Sequence, residues 1–101
     1  METTKEEMMM LLRELQDLQM WLYDSLQEIT LDINICVFGN GISISCYVCL
    51  FSDINGTRES VYFYSSNSYK ENRAQLNYFV KYVKKIAKYG CEKGKLYQTP
   101  T

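Results

Sequence analysis

Cys46-Tyr47-Val48-Cys49 is the one stretch of this chain where two cysteines stand three apart. A C-x-x-C pair can hold zinc or cycle a disulfide. Both chemistries need the pair on a turn or at a helix start, where the two sulfurs converge. The flanking residues alternate apolar and polar, which places this pair in a strand, and residues three apart in a strand point to opposite faces. Cys46 is expected to face the core and Cys49 the other side, so no metal site follows. Cys36 and Cys91 supply no second ligand pair, and free thiols are expected, because nothing in the sequence points to secretion.

Other chemistry is equally short of parts. The chain has no histidine, which removes the commonest general base and every Ser–His or Cys–His nucleophile. Its carboxylates gather on the outer side of the first helix, as a solvated face does. No glycine-rich phosphate loop is present. The sequence therefore predicts no enzyme, no catalytic residue and no cofactor.

What remains is recognition, and three surfaces offer it. Met10 and Trp21 lie together on one flank of the first helix, and exposed Met and Trp are enriched at interfaces. Tyr47, Phe51, Tyr62 and Tyr64 are placed on the outer face of a sheet, with Tyr47 directly opposite Tyr64. Such rings can be cross-strand packing, a protein contact or a stacking platform for single-stranded bases. Tyr78 and Tyr82, with Tyr89, make an outward stripe on the second helix beside Lys81, Lys85 and Lys88. That stripe reads as a solvated basic face or as a docking strip for an acidic partner or phosphate backbone. Few bases border the sheet face, since Asp53 opposes Arg58, which disfavours nucleic acid and leaves a protein partner or self-association as the expectation.

The elements that must position these groups can be read in order. Thr4-x-x-Glu7 is a capping box. Met8, Leu11, Leu15, Leu18, Leu22, Leu26 and Ile29 then share a stripe about 80° wide, predicting a helix of about 24 residues. Alternation from Leu31 to Val37, then Asn40-Gly41, predicts a two-residue hairpin in which residue i pairs with 81 − i. Asn55-Gly56 predicts a second such hairpin, with i pairing with 111 − i. Both registers put Leu31, Ile33, Ile35, Val37, Ile44, Cys46, Val48, Leu50, Val61 and Phe63 on one face. Ser68-x-x-Glu71 opens a second helix, whose inner stripe is Tyr69, Leu76, Phe79, Val80, Val83, Ile86 and Ala87, with Gly90 as its stop.

The expected fold is α+β: helix, three-stranded antiparallel meander of order 1-2-3, helix, with both helices on one sheet face. Residues 1–90 are expected to form a single domain and 91–101 a flexible tail. A length of 101 residues and an apolar fraction of 47% suffice for one core. The net charge of −1 hides a split, because residues 1–51 carry −6 and residues 52–101 carry +5. Either the halves neutralise each other within one fold or they make a dipolar surface. No apolar run is long enough to span a bilayer, and the acidic start does not resemble a secretory signal, so a cytoplasmic protein without membrane contact is expected.

This order of elements resembles the double-stranded RNA-binding domain over residues 4–90. That resemblance implies two helices on one face of a meander, and RNA contacts at the start of the second helix. The family has a Lys-Lys-x-Ala-Lys run there. Here Ser68-Tyr69-Lys70-Glu71-Asn72-Arg73 keeps Lys70 and Arg73 and adds Glu71, which would oppose phosphate. The chain is also similar to small bacterial proteins carried on mobile elements, a likeness that implies no activity.

Overall fold

The computed structural model describes residues 2–25, 28–50, 57–89, 91–92 and 95–96. α1 (Lys5–Trp21) is followed by a single 3-10 turn, Leu22–Asp24. β1 (Ile29–Phe38), β2 (Gly41–Leu50) and β3 (Thr57–Tyr64) form one antiparallel sheet in the order β1-β2-β3. α2 (Tyr69–Tyr89) returns over the same face as α1. Two short strands, β4 (Cys91–Glu92) and β5 (Lys95–Leu96), pair with each other beyond α2.

α1 opens on a full capping box and α2 on its Ser68 half. Thr4 Oγ1 accepts from the Glu7 N–H at 3.1 Å, and Glu7 Oε1 accepts from the Thr4 N–H at 2.9 Å. At α2, Ser68 Oγ accepts from the Glu71 N–H at 3.2 Å and donates to Glu71 Oε1 at 3.1 Å. Each satisfies amides that the first helical turn leaves without partners. The core is then built as the periodicities require. Met8, Leu11, Leu15, Leu18 and Leu22 of the first stripe, and Leu76, Phe79, Val83, Ile86 and Ala87 of the second, close over Leu31, Ile44, Cys46, Val48, Val61 and Phe63.

Several expectations are corrected. The helical stripe does not reach Ile29, which is the first residue of β1, opposite Leu50. Tyr23, Asp24 and Ser25 are weak helix formers, no basic residue faces the carbonyl end, and Ser25 is already extended. Leu26 lies outside the described residues.

The first hairpin pairs i with 79 − i, so its turn is Gly39-Asn40 and not Asn40-Gly41. Val37 meets Ile42, Ile35 meets Ile44, Ile33 meets Cys46 and Leu31 meets Val48. Gly39 takes the left-handed backbone (φ 54°) that a tight reversal demands. Gly41 serves another purpose: a Cβ there would stand 2.7 Å from the Phe38 ring, which lies across the bare backbone.

The second hairpin pairs i with 107 − i, so Ile44 meets Phe63 and Cys46 meets Val61. Asn55-Gly56, Phe51 and Asp53 lie outside the described residues. Arg58 stands opposite Cys49, and the expected Asp53–Arg58 pair lies outside the described residues. Both registers differ from expectation by an even number, and parity alone decides which face a side chain takes. Every inward residue therefore stays inward, although its cross-strand partner changes.

α1 crosses the sheet on a diagonal. At its start, Thr3 receives no help from α1: its N–H donates to the carbonyls of Ser65 (3.0 Å) and Asn67 (2.9 Å), beyond the end of β3. At its other end Gln19 Nε2 donates to the Leu31 carbonyl of β1 at 2.7 Å. The diagonal leaves one corner of the inner face without cover. Ile35 and Val37 point to the helix side of β1 yet are 53% and 72% exposed, and Phe38 is 54% exposed. The expectation that every aliphatic side chain of the meander lies beneath the helices fails at this corner.

Candidate functional site

The open sheet face carries the tyrosines, as alternation requires. The shifted registers rearrange them. Asn34, Ser45 and Tyr62 share one row; Asp32, Tyr47 and Ser60 share the next; Cys36, Ser43 and Tyr64 share a third. Tyr47 and Tyr64 are thus not opposed. Tyr47 meets Tyr62 diagonally, edge to face, with ring centroids 5.9 Å apart, and their hydroxyls lie 3.2 Å apart. Tyr62 stacks parallel to Tyr64, two residues along the same strand, at 6.4 Å. The three rings form one continuous patch, each ring about two-fifths exposed.

The shared hydroxyl bond couples the titration of Tyr47 and Tyr62. The first proton leaves below the ordinary tyrosine value, because the phenolate accepts from its neighbour, and the second leaves above it. A shallow depression beside the patch is bordered by Thr30, Asp32, Tyr47, Cys49 and Ser60, with Glu59 at its rim. Glu59 Oε1 accepts from the Ser60 N–H at 3.2 Å. Phe51, expected on this face, lies outside the described residues.

The helix flank is less open than expected. Met10 and Trp21 are both exposed, at 49% and 46%. Trp21 nevertheless borders a groove between the helices with Glu14, Asp17, Leu18, Val80 and Lys84. Lys84 Nζ sits 5.2 Å from the centre of its ring, a cation–π contact. In the same cleft the Arg73 guanidinium pairs with Glu14 and with the Tyr69 hydroxyl. The acidic flank of α1 thus faces bases of α2, and here the two halves of the chain meet with opposite charge.

On α2, Tyr78, Lys81, Lys85 and Lys88 are exposed. Tyr82 departs from the expected outward stripe, being half-buried against the core. It lies about 90° from the centre of the buried stripe, at the boundary between core and solvent. The Tyr89 side chain lies outside the described residues.

Of the cysteines, Cys46 is buried, Cys49 half-buried on the opposite face and Cys36 exposed, all as free thiols. Burial first, and the Asp32 carboxylate second, push the Cys46 thiol up to about 12, so it stays protonated and unreactive. Among the described residues, no three cysteine or carboxylate side chains come together as a metal site, and no helix is long and apolar enough to cross a membrane.

One buried group escapes the sequence patterns. Asn72 sits fully buried in the middle of the apolar stripe of α2. Its Nδ2 donates to Thr3 Oγ1 and to the Tyr64 carbonyl, both at 2.9 Å. Thr3 Oγ1 donates onward to the Asn67 carbonyl at 2.8 Å. These bonds sew the N-terminus to the loop between β3 and α2. A polar residue at a core position of the helical period was the available signal. No known protein family, curated protein or solved structure matches the chain.

Proposed function

We propose that this chain is a small, non-enzymatic protein-interaction module that associates with itself. The carrying observation is the uncovered corner of the sheet. Ile35 and Val37, neighbours on the helix side of β1, are exposed apolar side chains, and a fold that could cover them with its own helices leaves them outside. Contiguous apolar surface of this kind marks contact sites in monomeric folds. The tyrosine patch of Tyr47, Tyr62 and Tyr64 and the Met10–Trp21 flank provide further contact surface. Free thiols at Cys36, Cys46 and Cys49 suit the reducing cytoplasm.

Light scattering coupled to size-exclusion chromatography tests this reading. A mass that rises with concentration supports it, and a strict monomer over two decades of concentration ends it.

One observation favours a second reading. The parallel rings of Tyr62 and Tyr64 offer the kind of platform on which single-stranded bases stack. The resemblance to double-stranded RNA-binding domains adds topology only. Against it, the Arg73 guanidinium that this resemblance would aim at phosphate is taken by Glu14 and Tyr69. Fluorescence anisotropy with short RNA and DNA separates the two readings.

A further inference from the structure

We infer that the partner at the uncovered corner is a second copy of this chain, joined edge to edge through β1 in a two-fold antiparallel pair centred on Ile35. This rests on the self-association reading and names its surface. Strand directionality comes first. Ser65 donates its N–H to the Ile42 carbonyl at 2.9 Å, and the Ile42 N–H donates to Ser65 Oγ at 2.9 Å. Backbone groups of Ile42 therefore face β3. Direction alternates along a strand, so those of Ser43, Ser45, Tyr47 and Cys49 face β1. Their partners are Cys36, Asn34, Asp32 and Thr30. The remaining β1 residues, Ile33, Ile35 and Val37, turn their N–H and C=O groups to the open edge. The bond from Gln19 to the Leu31 carbonyl agrees with this parity and covers the edge at that one residue.

The edge beyond Asp32 lacks the charge and proline that keep strand edges apart. From Ile33 to Gly41 there is no charge and no proline, although exposed edges are ordinarily blunted by such residues. The segment Ile33-Asn34-Ile35-Cys36-Val37 alternates aliphatic and small polar residues symmetrically about its centre. Antiparallel pairing about Ile35 therefore sets Ile35 against Ile35 and Ile33 against Val37 on the helix side. On the open side it sets Asn34 against Cys36. A two-fold axis also brings like surface against like, so charge beside the edge matters. Gln19 marks the flank of α1 that overhangs β1. Helical spacing adds Leu12 and Gln16 to that flank, and none of the three is charged. The carboxylates Glu14 and Asp17 sit on the other flank, toward α2. A strand contact of five or six residues is only about 20 Å long and falls short of the roughly 800 Å² per partner of a standard interface. The dimer is therefore weak and concentration-dependent.

Sedimentation velocity across a concentration series tests this. The wild type should dimerise. Ile35→Pro removes an N–H that no described strand uses, so it should weaken the dimer tenfold or more while the melting transition persists. Val37→Lys, at a largely exposed position, should do the same if the proline variant fails to fold. Asn34→Cys should form an interchain disulfide with native Cys36 on mild oxidation, because that pair stands within disulfide reach in this register. A dimer that survives both edge substitutions but is lost on Tyr62→Ser overturns the β1 contact and leaves self-association standing. A wild-type monomer throughout overturns both.

Discussion

Cys46 stands in register between Ile33 and Val61, sealed from solvent by the helices above it. Its raised value has a consequence for stability. The unfolded thiol ionises from about 9, whereas the folded one holds its proton to about 12. In that window the unfolded chain binds fewer protons, so stability is complete below about pH 9 and falls as pH rises. Urea melts at neutral pH and at pH about 10 should show the wild type losing on the order of 1 kcal/mol more than Cys46→Ala over that interval. The alanine variant carries a constant cavity cost that cancels in the comparison. Thiol labelling of the folded protein should find Cys36 reactive and Cys46 protected. The strand pattern alone separated these two roles, inward and outward. The helical period could place Asn72 at a core position but not name its partners, because Thr3 and the Tyr64 carbonyl reach it only when the ends of three elements meet.

At the scale of elements, the two glycines of the first hairpin carry different loads. Gly39 is the residue with positive φ and has nothing within 4 Å of an added Cβ. Gly39→Ala should therefore cost roughly 1 kcal/mol in backbone strain alone. Gly41→Ala meets only the Phe38 ring, which is more than half exposed and can swing aside, so its cost should be a few tenths of a kcal/mol. Chemical denaturation of both variants checks the order; the reverse order would restore an Asn40-Gly41 turn. This difference explains how far the fold was legible. Helical period, capping residues and strand parity depend on neighbours in sequence; they located the buried faces, and failed only where the first helix ends before Ile29 and where Tyr82 sits at the core boundary. Register depends on which of two adjacent turns lets Phe38 lie over a bare glycine, and that is a contact across strands. The uncovered corner was invisible for a similar reason. It follows from the diagonal of α1, which Thr3 and Gln19 fix by bonds to opposite edges of the sheet.

For the whole molecule, the charge split resolves partly into an internal match. Glu14 and Asp17 on α1 line the same cleft as Lys84, and Glu14 pairs with Arg73. Part of the positive charge of the second half is thereby turned inward. On its outward face α2 presents Lys81, Lys85 and Lys88, three cations together. A polyanion held by three cations releases about three counterions, so log K against log salt could fall with a slope of only about −2 to −3. Such binding fades before physiological ionic strength. The prediction is that labelled single-stranded RNA shows weak anisotropy at low salt, within that slope, and none at physiological salt. Tyr62→Ser should leave this residual signal unchanged, since the tyrosine patch and the basic face of α2 lie on opposite sides of the sheet. A steeper slope, or a signal lost with Tyr62, would mean that bases stack on the open face after all, and the module would then read RNA through its sheet instead of meeting its own copy along β1.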